Sequence, residues 1–319
     1  MRILLPALVL LLGALPAPGQ RASGKLGVFF FHESPYDAEA FEGIQDGLRA
    51  AGLTAPLDVK RARGDEETAR RQLREWLSDR PDLIFTMGTK ATLLAKEVHA
   101  EVPIVFTAVT NPVRSGVTPD WRSSGSNLAG NSNRIASEDV LAVFRRALPK
   151  LRRLGVLFNP ENPVSSAEVE EMARTLKLDP ASGVTLVEGQ VRRREEIAAA
   201  AASIAERCDA LWIPIDILLY ENPGELEKVT VPRRLPMVAT ARSKAEDIAV
   251  VGVGIDYRTL GKAVVPLAVR ILRDRARPRD LPIGRLRGVK VVVNLSAAAK
   301  IGWEPPLDLL TVADRVVGP

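Results

Sequence analysis

Two histidines, His32 and His99, and one cysteine, Cys208, are all the imidazole and thiol this chain has. A metal centre built on His and Cys needs more ligands than that, and a Cys–His nucleophile pair would have to come from the same three residues. Neither a Gly-x-Ser-x-Gly elbow nor a Gly-x-x-x-x-Gly-Lys-Ser/Thr loop occurs, so the common motif-borne routes to acyl and phosphoryl transfer are missing. Gly252-Val-Gly254 is the nearest approach to a dinucleotide fingerprint, but Tyr257 stands at its third glycine. It reads better as a strand end that needs close backbone approach. Carboxylates are plentiful, yet no two of them form an evident acid–base pair. Cys208 cannot make an internal disulfide and, beside an apolar run, reads as a small core residue. The missing motifs remove the common enzymes without excluding an enzyme.

Binding groups need elements to position them. With 319 residues, two domains or one large α/β unit is the expectation. Hydrophobic residues at 46% and charged residues at 26% fit a globular chain. The net charge of +5 (44 − 39) is dispersed, and the longest basic cluster, Arg192 to Arg194, is followed by Glu195 and Glu196. That cluster reads as a solvated helix start and not as a nucleic-acid surface. Short β-branched runs alternate with longer helical stretches. Strands are predicted at Leu26–Phe31, Ala55–Lys60, Asp82–Met87 and Val102–Val109, with helices through Phe41, Ile44 and Leu48, over Glu66–Ser78 and from Gly88 to Val98. His99 then falls at a helix end and is expected at the surface or in a last turn.

Such runs fit a parallel sheet covered by helices on both faces. Residues 110–135, rich in turn formers, break the rhythm and read as a first crossing between lobes. The alternation restarts with a helix from Glu138 and strands at Arg153–Phe158, Val184–Glu188, Ala210–Pro214 and Pro236–Ala239. A third block has strands at Ala249–Ile255 and Val289–Leu295 and a closing amphipathic stretch, Leu307–Val317. Ahead of all this, Arg2, the apolar run Ile3–Leu15 and the exit Pro16–Gly19 have the parts of a cleaved secretory signal. Its core of about 13 residues is short of the ~20 a spanning helix needs. Residues 1–19 are therefore expected to be removed. With no cysteine near the exit to carry lipid, a periplasmic protein is predicted.

Four phrases, in order, resemble one family. They are Asp82–Thr89 followed by Val102–Pro112; Leu154–Pro160; Val251–Gly261; and Val291–Ser296 leading to Ala299–Trp303. The chain resembles the ABC-transporter substrate-binding proteins of tryptophan/tyrosine-binding type over roughly residues 25–316. The resemblance implies an α/β fold of two doubly wound, Rossmann-like lobes joined by three hinge crossings, the type I periplasmic-binding-protein fold. It places lobe one at 24–109 plus 243–286, lobe two at 128–241 plus 288–319, and the first crossing at 110–127. It further implies a monomer without cofactor or catalysis that captures a small molecule, an amino acid or related carboxylate, and serves an ABC permease in the membrane. No nucleic-acid partner is expected. Two alternatives stay open: an exported sensory module of the same fold, and an enzyme with a convergent site in the cleft.

Open α/β sheets bind ligands beyond the C-terminal ends of their strands, where helix N-termini offer free N–H groups. On the implied fold the candidate ligand residues are therefore His32, Glu33 and Ser34 after the first strand, Gly88 and Thr89 after the third, and Asn111 after the fourth. Asn131 at the crossing, Asn159, Asp216, and the pair Asp256–Tyr257 complete the set. Gly88 permits close approach, and Thr89 can cap its helix or donate its hydroxyl. Asp216 and Asp256 can pair with an ammonium group or serve only as helix caps. Asn111, where the family often has Asp, the segment Asn131–Arg134, and Ile217 depart from the family pattern, so a different ligand is conceivable. Arg134 is either a solvated crossing residue or an inward group for an anion. Phe31, Tyr36, Trp212, Tyr220 and Tyr257 are the aromatics that could stack on a ring, Trp212 being the one expected in the core.

Overall fold

The computed structural model of the protein describes residues 24–240, 247–285 and 288–318. The expected signal, 1–19, lies outside them. Apolar residues on both faces make the central strands of the first sheet: β1 (Leu26–Phe30), β3 (Leu83–Met87) and β4 (Ile104–Thr107) are buried throughout. β2 (Leu57–Arg61), more polar, takes one edge. β5 (Leu128–Ser132) and the short β11 (Gly284–Arg285) complete six strands in the order β11-β5-β4-β3-β1-β2, all parallel. The two-residue period of the strands sorts their side chains. Leu26, Val28, Phe30, Leu83 and Phe85 join one core layer, while Phe29, Ile84, Ile104 and Phe106 join the other.

Helices α2 (Glu66–Ser78) and α3 (Gly88–Val98) cover the second of these layers. On the first lie α1 (Pro35–Ala50) and two helices from far along the chain, α9 (Tyr257–Ala263) and α10 (Val265–Leu272). α1 and α9 touch backbone to backbone. A Cβ on Gly43 would come within 1.9 Å of the Arg258 carbonyl oxygen, and one on Gly261 within 1.8 Å of that of Ala40. Only glycine permits that approach. Arg258 secures it with hydrogen bonds to Asp46 (2.7 Å) and Glu42 (3.2 Å) on α1.

The second sheet has seven strands: β6 (Arg153–Phe158), β7 (Thr185–Gln190), β8 (Ala210–Ile213), β9 (Met237–Ala239), β10 (Val251–Gly254), β12 (Lys290–Asn294) and β13 (Arg315–Val317), ordered β13-β12-β10-β9-β8-β6-β7. Only β10 and β12 pair antiparallel. Helices α4 (Ser137–Ala147) and α5 (Pro163–Leu178) cover one face, and α6 (Ile197–Ala205) and α8 (Pro223–Thr230) the other.

The sheets divide the chain differently from the expected lobes at two places. Leu128–Ser132 belongs to the first sheet, so 110–127 is a loop within that lobe and the first crossing follows Ser132. Pinning explains why this loop stays: Lys96 donates to the Gly116 and Val117 carbonyls, and the Asn127 amide to those of His99 and Val102. Val251–Gly254 belongs to the second sheet, wedged between β9 and β12, so the second crossing lies at Ile255–Asp256. The closing stretch is a short helix, Leu307–Leu310, followed by edge strand β13. His99 ends α3 as expected but is buried, its Nε2 2.9 Å from the Leu73 carbonyl. Desolvation holds its pKa below the usual imidazole value. Cys208 is a core residue packed under Gly155.

Candidate functional site

The close packing of α1 and α9 sets their first turns side by side. Tyr36 and Tyr257 therefore stack, centroids 4.8 Å apart and planes 23° from parallel. Such a pair contributes about 0.5–1.5 kcal/mol beyond its burial. Beside it, at the first crossing, the Asn133 amide donates to the Tyr257 hydroxyl at 3.1 Å, and its buried Oδ1 accepts from nothing among the described residues.

The second lobe offers Tyr220, at the end of the one-turn helix α7 (Ile217–Tyr220). It is half-buried, and its phenol is pushed well above the ordinary value by desolvation and by the nearby Glu168, Tyr36, Asp216 and Tyr257. Those neighbours come from both lobes. The chain has three tyrosines, and all of them meet here.

Below Tyr220 lie two carboxylates. Asp216 is fully buried, but its oxygens accept from the Asn159 N–H (2.7 Å) and the Leu218 N–H (3.1 Å). Those donors offset the cost of burying its charge. Glu168 is less well served. Its Oε2 accepts from the Ile215 N–H and the Thr240 hydroxyl, both at 2.9 Å, while Oε1 has no hydrogen-bond partner among the described residues. Burial pushes its carboxyl up to about 7, against the pull of those two hydrogen bonds. Thr240 in turn receives the Trp212 indole N–H at 3.4 Å, which fixes this core tryptophan to the same network.

The structure spreads the sequence candidates over several roles. Asp256 caps α9 through the Thr259 N–H, Ser34 caps α1 in a reciprocal box with Asp37, and Asp216 caps α7. Asn159 gives its backbone N–H to Asp216 and its side chain to a local turn. Asn111 likewise holds a turn, through the Arg114 N–H. Asn131 bridges the Thr107 hydroxyl and the Leu260 carbonyl, both at 2.8 Å, and so ties α9 to the first sheet. His32 and Glu33 are exposed, Glu33 paired with Arg61 at 2.9 Å. Gly88 has φ +79° and open space above it, and Thr89 beside it is half-buried. Tyr257 alone of the candidates joins the tyrosine group.

Glu168 and Asn133 were not among the sequence candidates. Glu168 carried a signal: it is half-buried and falls by helical spacing in line with the buried Ser165, Met172 and Thr175 of α5, and a carboxylate on the inward face of a helix is out of place. Arg134 is neither solvated nor free for an anion, since its Nε donates to Glu171 on α5 at 2.8 Å. A concavity of about 770 Å³ elsewhere, on the outer face of α2, is lined by Glu66, Glu67, Arg70, Arg71, Arg74 and Glu75. Arg70 there already pairs with Glu66 and Glu97, which makes it a solvated charged face. Among the described residues no cluster of His, Cys, Asp and Glu could hold a metal, and no helix is long and apolar enough to cross a membrane.

Two Rossmann-like lobes threaded by three crossings, with polar and aromatic groups converging between them, define a type I periplasmic-binding fold. Residues 25–317 match the family model for ABC transporter substrate binding proteins, and the chain belongs to that family. It is 26% identical over 273 residues to a tyrosine-binding protein of Clostridioides difficile, covering 84% of this chain and 78% of the relative. Two solved structures, each 24% identical and covering 93% of this chain and all of their own, share the fold. One is the ligand-free, open form of a substrate-binding protein with adhesive properties from Clostridium difficile, at TM-score 0.84. The other is an ABC domain from Streptococcus pneumoniae in complex with L-Trp, at TM-score 0.73.

Proposed function

We propose that the protein captures an aromatic amino acid between its lobes, outside the cytoplasm, and delivers it to an ABC importer. The observation that carries this reading is the meeting of Tyr36 and Tyr257 from one lobe with Tyr220 from the other. A ring entering between them gains contacts with both lobes only when the lobes are near each other, and a ligand shifts a two-state equilibrium only by its differential affinity. The tyrosine-binding and L-Trp-bound relatives support the ligand class. The start of α3, with open space above Gly88 and the Thr89 hydroxyl beside it, suits the ligand carboxylate. The apolar segment within residues 1–19 supports export.

Titration calorimetry of the mature chain with L-tyrosine and L-tryptophan tests this. Saturable binding of one or both is expected, weakened about tenfold or more, ~1.4 kcal/mol, in Tyr257→Ala and at least several-fold in Thr89→Ala. Binding unchanged in Tyr257→Ala would remove the tyrosine group from the site.

A further inference from the structure

We propose that Glu168, with Asn133 opposite, is the recognition point for the protonated amine of the ligand. This rests on the amino-acid reading above and names the part of the site that reads the ammonium. The groups facing Glu168 leave it one kind of missing partner. From the β8–α7 junction come the Ile215 N–H and the carboxylate of Asp216, from α7 the phenol of Tyr220, and from the end of β9 the Thr240 hydroxyl. Tyr36 and Tyr257 face the same phenol from the other lobe. On its own helix, Glu170 is paired with Arg114 and Glu171 with Arg134. No Lys or Arg among the described residues pairs with Glu168, and the charged group that acts on it is the carboxylate of Asp216.

Its Oε1, on a half-buried side chain, accepts no hydrogen bond among the described residues, and Asn133, which holds the Tyr257 hydroxyl, keeps a buried acceptor idle. If the Asn133 amide is turned over, the idle atom is its NH₂ instead, and Oε1 of Glu168 still lacks a donor. Two vacant acceptors beside the tyrosine group fit a group with several N–H donors and a positive charge, which is an ammonium.

A proton balance follows. In the empty protein below pH 7 the Glu168 carboxyl is largely protonated, because burial raises its pKa to about 7. An ammonium ligand enters with its charge, Glu168 loses its proton to solvent, and the ion pair forms. Capture therefore releases a proton in acid and none well above neutrality.

The experiment is calorimetry on the wild-type protein and Glu168→Gln with four probes: L-tyrosine, L-tryptophan, tyramine and 3-(4-hydroxyphenyl)propionate. Titrations run from pH 6 to pH 8, in buffers of different ionisation enthalpy. For wild type, Kd for the amine-bearing probes is expected to weaken about tenfold from pH 8 to pH 6, with close to one proton released at pH 6. The propionate should bind far more weakly than tyrosine. Glu168→Gln should lose both the pH dependence and the preference for an amine. If the propionate binds wild type as tightly as tyrosine, aromatic capture stands and the role of Glu168 is overturned. Tyramine binding with the expected pH profile, without either amino acid, would overturn the amino-acid reading and leave Glu168 in place. Failure of every amine probe overturns both. The probe comparison on wild type needs no variant, so a misfolded Glu168→Gln cannot hide the answer.

Discussion

Glu168 is held at a cost in the empty protein. A carboxyl whose folded pKa is raised binds its proton more tightly in the native state than in the unfolded chain. Its contribution is then neutral below the unfolded pKa of 4.5 and becomes increasingly destabilising as pH rises through about 7. The full penalty, reached above pH 7, is on the order of 3 kcal/mol. Glu168→Gln removes the charge and keeps an acceptor for the Ile215 N–H and the Thr240 hydroxyl. Denaturation of the empty protein at pH 8 should thus find the variant more stable than wild type by about 1–3 kcal/mol, with the gap closing near pH 5. A gap that stays constant over this range would show that the carboxyl does not titrate there. The sequence made Tyr257 legible because it follows a recognisable strand, whereas Tyr36 and Tyr220 could be named only as aromatics. Residues 36, 220 and 257 are brought together by tertiary packing, which no local pattern reports. Asp216 and Asp256 show the opposite difficulty: Asx residues at helix starts are caps first, and both act as caps here.

At the scale of elements, the α1–α9 contact places Tyr36 against Tyr257. Gly261→Ala drives a methyl into the Ala40 carbonyl, and overpacking of this kind costs about 1–3 kcal/mol. It should also loosen the tyrosine stack, so ligand affinity falls together with the unfolding free energy. Gly224→Ala is the control, because its Cβ meets nothing within 4 Å and a helical Gly→Ala change is neutral or stabilising by up to ~1 kcal/mol. Equal effects of the two variants in urea denaturation would rule out the packing explanation. Most of the strands were readable as apolar runs between turn formers. β5 was not, since Leu-Ala-Gly-Asn-Ser has weak strand propensity and owes its conformation to pairing with β4. β10 was read as a strand, but its sheet was not, because partner choice depends on Met237–Ala239 and Lys290–Asn294 and leaves no mark in the run itself.

Across the whole molecule, consecutive acidic residues of α5 reach the other side of the first crossing. Glu170 meets Arg114 at 3.1 Å with both side chains more than half exposed, and Glu171 meets the half-buried Arg134. An exposed pair contributes about 0–1 kcal/mol, whereas removing one partner of a sheltered pair strands the other. Arg114→Ala should therefore leave thermal stability nearly unchanged and raise the radius of gyration of the empty protein in X-ray scattering. Arg134→Ala should lower stability by about 2 kcal/mol. Unaltered scattering in Arg114→Ala would mean that the pair does not restrain the lobes.

The order in which the chain is made also follows from α9 lying on α1. The guanidinium of Arg273 bonds the carbonyl of Ala51 across 222 positions, and Ile44 and Leu48 share a core layer with Val264, Val265 and Ala268. The lobe synthesised first thus keeps one flank of its sheet bare until the ribosome has passed residue 270, and the other lobe waits longer still for β12 and β13. Neither lobe can finish folding while most of the polypeptide is unmade. A chain with that schedule offers no contiguous piece that could be cut out as a free-standing lobe.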